Sequence, residues 1–243
     1  MKKIFSFKKD KLYFNDALKE YIVISSYPRS GNRYLQNIIS YCLNEDESRL
    51  NIGLPEISEN LNQSDINNFY SNSNHKFLKS HLFWNQNHGK CIFLFRDGRD
   101  SITSYWRRAM YKKGYKKSIT EFIIENLNGK HFPSSWADYN NAWIDAKNSN
   151  KKQIYPIAYE NIIKNGQKVI KKMFDFLNIN ISDSIIKKSL EVNNFSSDIK
   201  RVKEKKGLLF GKSGQWKQYF SKEDHELFLK LSKPTLLKLN YKI

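Results

Sequence analysis

The sequence has little cysteine and no long apolar run. Its two cysteines, Cys42 and Cys91, lie in apolar segments, so we interpret them as reduced core residues rather than as a disulfide framework. No His, Cys, Asp or Glu cluster has the spacing of a metal site, so no metal is expected. No run approaches the roughly 18 apolar residues of a membrane span, and the basic start lacks the apolar region of a signal peptide. These absences predict a cytoplasmic protein with no transmembrane segment.

Acidic residues are scarce relative to basic ones. The 243 residues include 42 Lys and Arg but only 24 Asp and Glu, which gives a formal net charge of +18. This balance favours an anionic partner such as a nucleotide, a nucleic acid, an acidic glycan or a membrane surface. With 40% hydrophobic and 14% aromatic residues the chain is not disordered. Its length predicts one large domain that spans residues 1–243.

Short apolar runs alternate with amphipathic segments along the chain. This alternation predicts an α/β fold whose parallel sheet binds ligands at the carboxyl ends of its strands. Residues 1–20 are interpreted as an edge strand or an arm, and polar residues 45–75 as a substrate-facing excursion with one short helix. The predicted strands are residues 21–25, 76–81, 91–95 and 154–158, the last an edge or distorted strand because of Pro156. The predicted helices run from the loop after the first strand to Asn44, from the Arg96–Asp100 segment onward, and near 118–127, 134–148, 164–177, 182–191 and 222–238.

The loop after the first predicted strand is typical of an anion-binding turn. It leads into an amphipathic helix and carries Gly31 between Arg29 and Arg33. The first N–H groups of a helix have no intrahelical partner, and the helix dipole adds positive potential there. The spacing does not fit the P-loop of nucleoside triphosphatases, which needs a Lys and a hydroxyl after the last Gly. The loop therefore predicts a metal-independent phosphate or sulfate site, and an ordinary loop with solvated arginines is the alternative.

Three cationic or titratable side chains follow predicted strand ends. They are Arg29, His81 and Arg96, and the carboxyl ends of parallel strands bring such residues together. A group with a pKa near neutral, such as His81, suits the role of general base on an acceptor hydroxyl. The alternative for Arg96 is a simple ion pair with Asp97 or Asp100 at the start of a helix.

Five blocks of the chain, in order, resemble motifs of the sulfotransferases that use 3′-phosphoadenosine 5′-phosphosulfate (PAPS). Residues 27–35 resemble Y-P-K-S-G-T-T-W-L, residues 79–82 resemble K-T-H-L, and residues 95–105 resemble the block R-N-P-K-D-V-x-V-S-Y. Residues 159–161 resemble Y-E-D, and residues 211–220 resemble G-x-x-G-D-W-K-x-x-F. The resemblance implies a parallel β-sheet flanked by helices, in the P-loop nucleoside triphosphatase-like sulfotransferase fold.

The resemblance also implies roles for individual residues. His81 would be the catalytic base, and Arg29 would stabilise charge on the transferring group. Backbone N–H groups of Ser30 to Arg33 would cradle the 5′-phosphate, and Arg96 and Ser104 would hold the 3′-phosphate. The implied catalytic residues are His81, Arg29 and Ser104. The implied nucleotide-binding residues are Arg29, Ser30, Gly31, Asn32, Arg33, Tyr34, Arg96, Ser104, Tyr159, Phe195, Gly211 and Lys212.

The chain departs from the family pattern at several of these positions. Arg29 stands where the family has Lys, and Arg stays charged where Lys can release a proton. Asn32 and Arg33 replace two Thr, and Tyr34 replaces a Trp that stacks on adenine. Residues 209–210 are Leu and Phe where an Arg-Lys pair would contact the 3′-phosphate. Candidates to supply the missing contact are Lys203, Lys205, Lys206 and Lys212.

The predicted function is transfer of a sulfuryl group from PAPS to a hydroxyl or amine of a glycan or small-molecule acceptor. The expected product is adenosine 3′,5′-bisphosphate (PAP), and no metal is expected to take part. A kinase or other nucleotide-binding enzyme of the P-loop fold is one alternative. A basic nucleic-acid-binding protein is another, although the sequence has no recognition motif for a specific nucleic acid. The basic run from Arg107 to Lys117 is either a solvated helix face or a landing surface for an anion, and the oligomeric state has no sequence signal.

Overall fold

Four parallel strands form the sheet of this protein. The computed structural model describes residues 16–44, 53–58, 61, 63–70, 75–132, 134–193 and 212–243. The sheet order is β2-β1-β3-β4, and every neighbouring pair is parallel. The strands are β1 (Ile22–Ser26), β2 (Phe77–Ser80), β3 (Cys91–Phe95) and β4 (Ile154–Ala158). The predicted α/β class, a parallel sheet flanked by helices, is confirmed.

Helices connect and flank these strands, and serine side chains cap the N-termini of four of the helices. Ser118, Ser135, Ser182 and Ser221 each accept a hydrogen bond from a backbone N–H in the first turn. The helices are α1 (Asn32–Asn44), α2 (Gln63–Phe69), α3 (Gly98–Lys113), α4 (Ile119–Leu127), α5 (Trp136–Ser149), α6 (Tyr159–Leu177), α7 (Asp183–Val192) and α8 (Lys222–Lys238). Two 3-10 helices, Asp16–Glu20 and Gln215–Gln218, complete the described elements.

The register of the sheet brings the carboxyl ends of three strands to one level. Ser25 of the central strand β1 lies opposite Ser80 of β2 and Phe93 of β3. The β1 residues Val23 and Ile24 are fully buried, as expected for an apolar run covered on both faces. The loops that follow β1, β2 and β3 therefore begin side by side. Pro156 lies in β4, at the end of the sheet order, which confirms the predicted edge.

Two details differ from the sequence-based expectation. Residues 16–20 form a 3-10 helix instead of an edge strand, and residues 1–15 lie outside the described part of the chain. The helix expected near 164–177 begins at Tyr159, directly after β4. Asn165 interrupts this helix with non-helical angles (φ −139°, ψ 43°), so the part after the kink matches the predicted helix and the part from Tyr159 to the kink is additional. The predicted excursion at 45–75 contains the expected short helix, α2.

Both cysteines are buried, as predicted for core residues. No helix among the described residues is both long enough and apolar enough to cross a membrane. Within the same residues there is no group of three or more His, Cys, Asp or Glu side chains arranged to hold a metal ion.

Candidate active site

The loop between β1 and α1 contains two residues with a left-handed backbone. Arg29 has φ 70° and Gly31 has φ 97°. A Cβ atom at residue 31 would overlap the ring of Tyr159, so only glycine fits there. A non-glycine residue with positive φ carries backbone strain, and such strain is concentrated at functional sites. The loop conformation is therefore specified by its glycine and by the packed ring of Tyr159.

The polar groups of this loop are divided between internal bonds and free donors. The Ser30 N–H donates to the Tyr27 carbonyl (3.2 Å), so this amide is not among the free donors that we expected at the loop. The Ser30 hydroxyl is buried and has no hydrogen-bond partner among the residues that the structure describes. The side-chain amide of Asn32 donates to the Ser26 hydroxyl (2.9 Å), and this bond holds the start of α1 against the end of β1. In the first turn of α1, the Tyr34 and Leu35 N–H groups donate to the Gly31 carbonyl (3.0 and 3.2 Å). An anion at this helix start would meet the N–H groups that precede them and the positive end of the helix dipole.

Arg29 contacts the middle of α3. Its Nε–H donates to the Ser104 hydroxyl across 3.1 Å, so two residues of the predicted site meet directly. Burial lowers the pKa of Arg29 to about 10, and the charges of Arg108 and Arg96 lower it in the same direction. The guanidinium still carries its charge at neutral pH. Two neighbouring arginines that lower the pKa of Arg29 mark a region of concentrated positive potential.

Arg96 lies at the centre of this region and is 3% exposed. It donates to the Lys212 carbonyl (3.1 Å) and to the Arg29 carbonyl (3.4 Å), and its guanidinium lies 4.7 Å from the centre of the Tyr159 ring. Its Nε is buried and has no hydrogen-bond partner among the described residues. Of the two acids in the simple-pair alternative, Asp100 does pair with Arg96 (3.8 Å), which agrees with that alternative. Asp97 pairs with Arg99 instead (2.7 Å).

Asp100 joins the late block of the chain to the site, a role that we did not predict. Its two carboxylate oxygens accept the N–H groups of Gly214 (2.7 Å) and Trp216 (3.0 Å). Burial raises the pKa of this carboxyl, while Arg96 and the two amides act in the opposite direction. Its position in the first turn of α3, next to Arg96, was the only sequence signal, and that position fitted an ordinary ion pair equally well. Asp100 holds residues 212–216 against the Arg96 guanidinium.

His81 follows the end of β2 and turns toward β1. Its Nδ1 lies 2.6 Å from the Ser26 carbonyl, which can only accept a hydrogen bond. The proton of the neutral ring is therefore on Nδ1, and Nε2 keeps its lone pair. Burial lowers the pKa of His81, and the charge of Lys79 lowers it further, against smaller opposite effects from the Ser26 carbonyl and from Glu56.

Aromatic residues surround the loop and the histidine. Tyr34 packs edge to face on Tyr159, with ring centres 6.2 Å apart, and burial raises the pKa of Tyr159 to about 12. The Phe132 ring lies 6.5 Å from the His81 ring and 5.2 Å from that of Tyr27. These rings exclude water from one side of the site.

The remaining predicted positions are Arg33, Lys212, Phe195 and Gly211. Arg33 is exposed, and its guanidinium lies so close to Gly53 that a Cβ atom on that glycine would overlap it. Lys212 contributes its backbone carbonyl, and its side chain is exposed. Phe195 and Gly211 lie outside the described residues, as do the candidate lysines before residue 212.

The predicted basic run does not behave as one uniform face. Arg107 donates to the Tyr219 hydroxyl and lies over the ring of that residue, while Lys117 pairs with Glu125 (2.7 Å). Arg108 is exposed, and its charge acts on the pKa of Arg29. Part of the run is therefore structural, and Arg108 belongs to the positive region of the site.

Comparisons with known proteins agree with this architecture. The model of the sulfotransferase domain family matches residues 19–240. Sulfotransferase 1B1 of Canis lupus familiaris is 23% identical over 85% of this chain and 80% of its own length, and sulfotransferase 2A6 of Mus musculus is 25% identical over 87% and 82%.

Solved structures share the fold. The crystal structure of mouse sulfotransferase SULT7A1 complexed with PAP has a TM-score of 0.69 at 22% identity, over 91% of this chain and 88% of that one. A retinol dehydratase in a complex with retinol and PAP has a TM-score of 0.68 at 18% identity, over 93% and 83%. The chain belongs to the sulfotransferase domain family, the PAPS-dependent transferases whose motifs its sequence resembles.

Proposed function

We propose that the chain transfers a sulfuryl group from PAPS to a hydroxyl, or an amine, of a glycan or small-molecule acceptor, with His81 as general base. One observation carries the proposal: the His81 ring is bound at Nδ1 to the Ser26 carbonyl, the last residue of β1, and Arg29 follows three residues later in the chain. The base, which follows β2, is thus bonded to the end of β1, where the anion loop begins. A sulfuryl donor bound at the anion loop and an acceptor molecule bound at His81 Nε2 would therefore be neighbours.

The residues at the loop fit a nucleotide with two phosphate positions. The buried Ser30 hydroxyl and the buried Arg96 Nε have no hydrogen-bond partner in the described part of the chain. The chemistry of the donor set, two arginines with a serine hydroxyl and helix N–H groups, is that of a phosphate or sulfate site. Bound PAPS would supply the sulfuryl group, whose sulfur bonds to the acceptor oxygen as its bond to the 5′-phosphate oxygen breaks and PAP leaves.

His81 would take the proton that the acceptor hydroxyl loses. The ring is oriented for this, because the Ser26 carbonyl fixes the Nδ1 proton and leaves Nε2 as the basic atom. Burial lowers the pKa of His81, so the ring is neutral at pH 7 and needs no prior deprotonation. An acceptor oxygen within hydrogen-bond distance of Nε2 would be activated without a metal.

Arg29 would stabilise the negative charge on the transferring group and on the oxygen left behind. A guanidinium with a pKa of about 10 stays cationic, so it acts through charge and hydrogen bonds and not by proton donation. Its bond to Ser104 orients the guanidinium toward α3 (3.1 Å).

Arg96 and Ser104 would hold the 3′-phosphate, with the Lys212 segment above them. Arg96 is fixed by two backbone carbonyls and by the Tyr159 ring, so its guanidinium is oriented before the nucleotide arrives. Tyr34 would contact the base, as its motif position implies. Phe195 and Gly211 are proposed nucleotide contacts from the motif alone.

Calorimetric titration with PAP and with ATP, each with and without magnesium, tests the donor site. We expect micromolar, magnesium-independent binding of PAP and much weaker binding of ATP. ATP binding that requires magnesium would instead favour the kinase alternative. Turnover of PAPS with a panel of hydroxylated glycans and small molecules then identifies the acceptor class.

The match to the family model over residues 19–240 also supports the proposal that residues 1–243 form one domain. Limited proteolysis would test this, since a single domain yields one resistant core that retains PAP binding.

A further inference from the structure

Residues 53–58 lie alongside the carboxyl end of β2, close to the catalytic histidine. The Lys79 N–H donates to the Pro55 carbonyl (2.8 Å), and the Ile57 N–H donates to the Lys79 carbonyl (2.8 Å). These two bonds form a parallel bridge that places Glu56 directly beside Lys79. Side chains on directly paired strand residues interact, so the bridge sets which charge faces Lys79.

Packing fixes the position of this segment. Leu54 and Ile57 are buried on either side of Glu56, at 8% and 4% exposure. The Leu54 N–H donates to the Gln36 side chain (3.1 Å), and Gln36 is in α1, one turn after Asn32. The segment is thus tied to the helix that starts at the anion loop as well as to β2. Glu56 has a defined place even though half of its side chain reaches solvent.

The Glu56 carboxylate and the Lys79 ammonium form an ion pair of 2.6 Å, with side-chain exposures of 47% and 21%. Lys79 is in β2, and His81 is the first residue after that strand, two positions later in the chain. The charged groups that act on His81 are Lys79 on β2 and Glu56 on the added segment, while β1 presents the Ser26 carbonyl. The Phe132 ring lies beside His81 and carries no charge.

We propose that Glu56 and Lys79 are positioning residues whose ion pair sets the basicity of His81, an inference that rests on the proposed role of His81 as general base. In this arrangement Lys79 disfavours the imidazolium and Glu56 partly cancels that effect. The two residues therefore act on the His81 proton with opposite signs.

Because Lys79 and Glu56 act on the pKa of His81 in opposite directions, their substitutions should shift it in opposite directions. A merely structural role of the pair would not produce this pattern. Glu56→Gln leaves the Lys79 charge uncancelled, so the pKa of His81 should fall. Lys79→Met removes the positive charge and leaves Glu56 unpaired, so the pKa should rise. For charges at a partly exposed site we expect shifts of about half a pH unit in each direction. Because Glu56 is half exposed, the Glu56→Gln variant should fold. If Lys79→Met does not fold, the His81 titration in Glu56→Gln alone decides whether the pair acts on His81.

The measurement is an NMR titration of the histidine rings in the unliganded protein, with the His81 signals assigned from a His81→Gln variant. The matched control is Lys171→Met, which breaks the Lys171–Asp175 pair of α6 (3.1 Å) and should leave the His81 titration unchanged. Opposite shifts for the Glu56 and Lys79 variants are the expected result. An unchanged His81 titration in Glu56→Gln, or shifts of the same sign in both variants, would overturn the inference.

The pH dependence of kcat/KM, measured in parallel, separates this inference from the proposed function. Since the neutral ring is the base, the acid limb should move to lower pH in Glu56→Gln and to higher pH in Lys79→Met. If the rings titrate as expected while the rate profile stays fixed, the base role of His81 is wrong and the effect of the pair on His81 stands.

Discussion

The Arg29 guanidinium donates to the Ser104 hydroxyl across 3.1 Å, which joins the anion loop after β1 to the middle of α3. The two residues are 75 positions apart in the chain, and each belongs to a different motif. The bond links the side of the site proposed for the transferring sulfuryl group to the side proposed for the 3′-phosphate. Arg29 is held by this bond and by its own left-handed backbone, so its charge has a fixed place.

Replacement of Arg29 tests whether its charge stabilises the transfer. Arg29→Gln removes the charge and should lower kcat by about 100-fold or more, the scale for loss of one preorganised donor at a developing negative charge. Arg29→Lys keeps the charge and should retain most of the turnover. Single-turnover measurements with PAPS at saturating acceptor give both values. Equal losses in the two variants would show that geometry, and not charge, is what Arg29 supplies.

Replacement of His81 tests the base role. His81→Gln should lower kcat by roughly 10²- to 10⁴-fold, the usual contribution of a general base. The dissociation constant of PAP should stay within about a factor of two, because the ring bonds to the Ser26 carbonyl and not to the anion loop. Calorimetry with PAP beside the rate measurement separates the two effects. A large loss of PAP affinity would contradict the role.

Replacement of Arg96 tests recognition of the 3′-phosphate. Arg96→Gln should weaken PAP binding by about 1.5–3 kcal/mol, the range for a hydrogen bond to a charged group. Binding of adenosine 5′-monophosphate, which has no 3′-phosphate, should change little. Lys130→Gln is the control, since Lys130 is exposed and pairs with Glu125 in a different part of the protein. An equal loss for both nucleotides would remove Arg96 from the 3′-phosphate site.

Substitution of Gly31 tests the packing of the anion loop. An alanine at 31 combines a backbone penalty at φ 97° with overlap against the Tyr159 ring, so we expect a loss of unfolding free energy well above 1 kcal/mol. Gly114→Ala is the matched control, because Gly114 has φ 64° and no atom near its added Cβ. The control should lose only the backbone term of about 1 kcal/mol. Urea unfolding of both variants measures the difference, and equal losses would show that the Tyr159 ring moves aside.

The sequence predicted those parts of the fold and site that depend on local pattern. The apolar runs of β1 and β3 lie in continuous stretches of four or five buried residues, so each identifies its strand without distant information. His81 and Arg96 were found because each follows a strand end, and a parallel sheet brings such ends together. Gly31 was singled out because it lies between a predicted strand and a predicted helix, with an arginine on each side.

Other parts of the site depend on contacts between distant residues, which no local pattern encodes. Asp100 accepts a hydrogen bond from the N–H of Gly214, which is 114 positions later in the chain, and the sequence around neither residue indicates this contact. Glu56 lies in a polar stretch without periodicity, and its place beside Lys79 follows from the packing of Leu54 and Ile57. The Ser30 amide was expected to face an anion, but the turn directs it to the Tyr27 carbonyl. Tertiary packing decided each of these cases.

The pH dependence of stability provides a prediction outside the site, at His88. This residue is fully buried, its ring stacks on Trp143 (ring centres 6.5 Å apart), and burial lowers its pKa to about 4. Because the folded-state pKa is below the ordinary value of 6.5, the neutral ring stabilises the fold above pH 6.5, and this contribution is lost as the pH falls from 6.5 toward 4. The full loss amounts to about 3 kcal/mol at 1.4 kcal/mol per pKa unit. Urea unfolding at pH 7.5 and pH 5 should show the decrease, and His88→Asn, which has no titrating ring, should show a smaller one. The same decrease in both proteins would assign the pH dependence to other groups and leave His88 without a role in it.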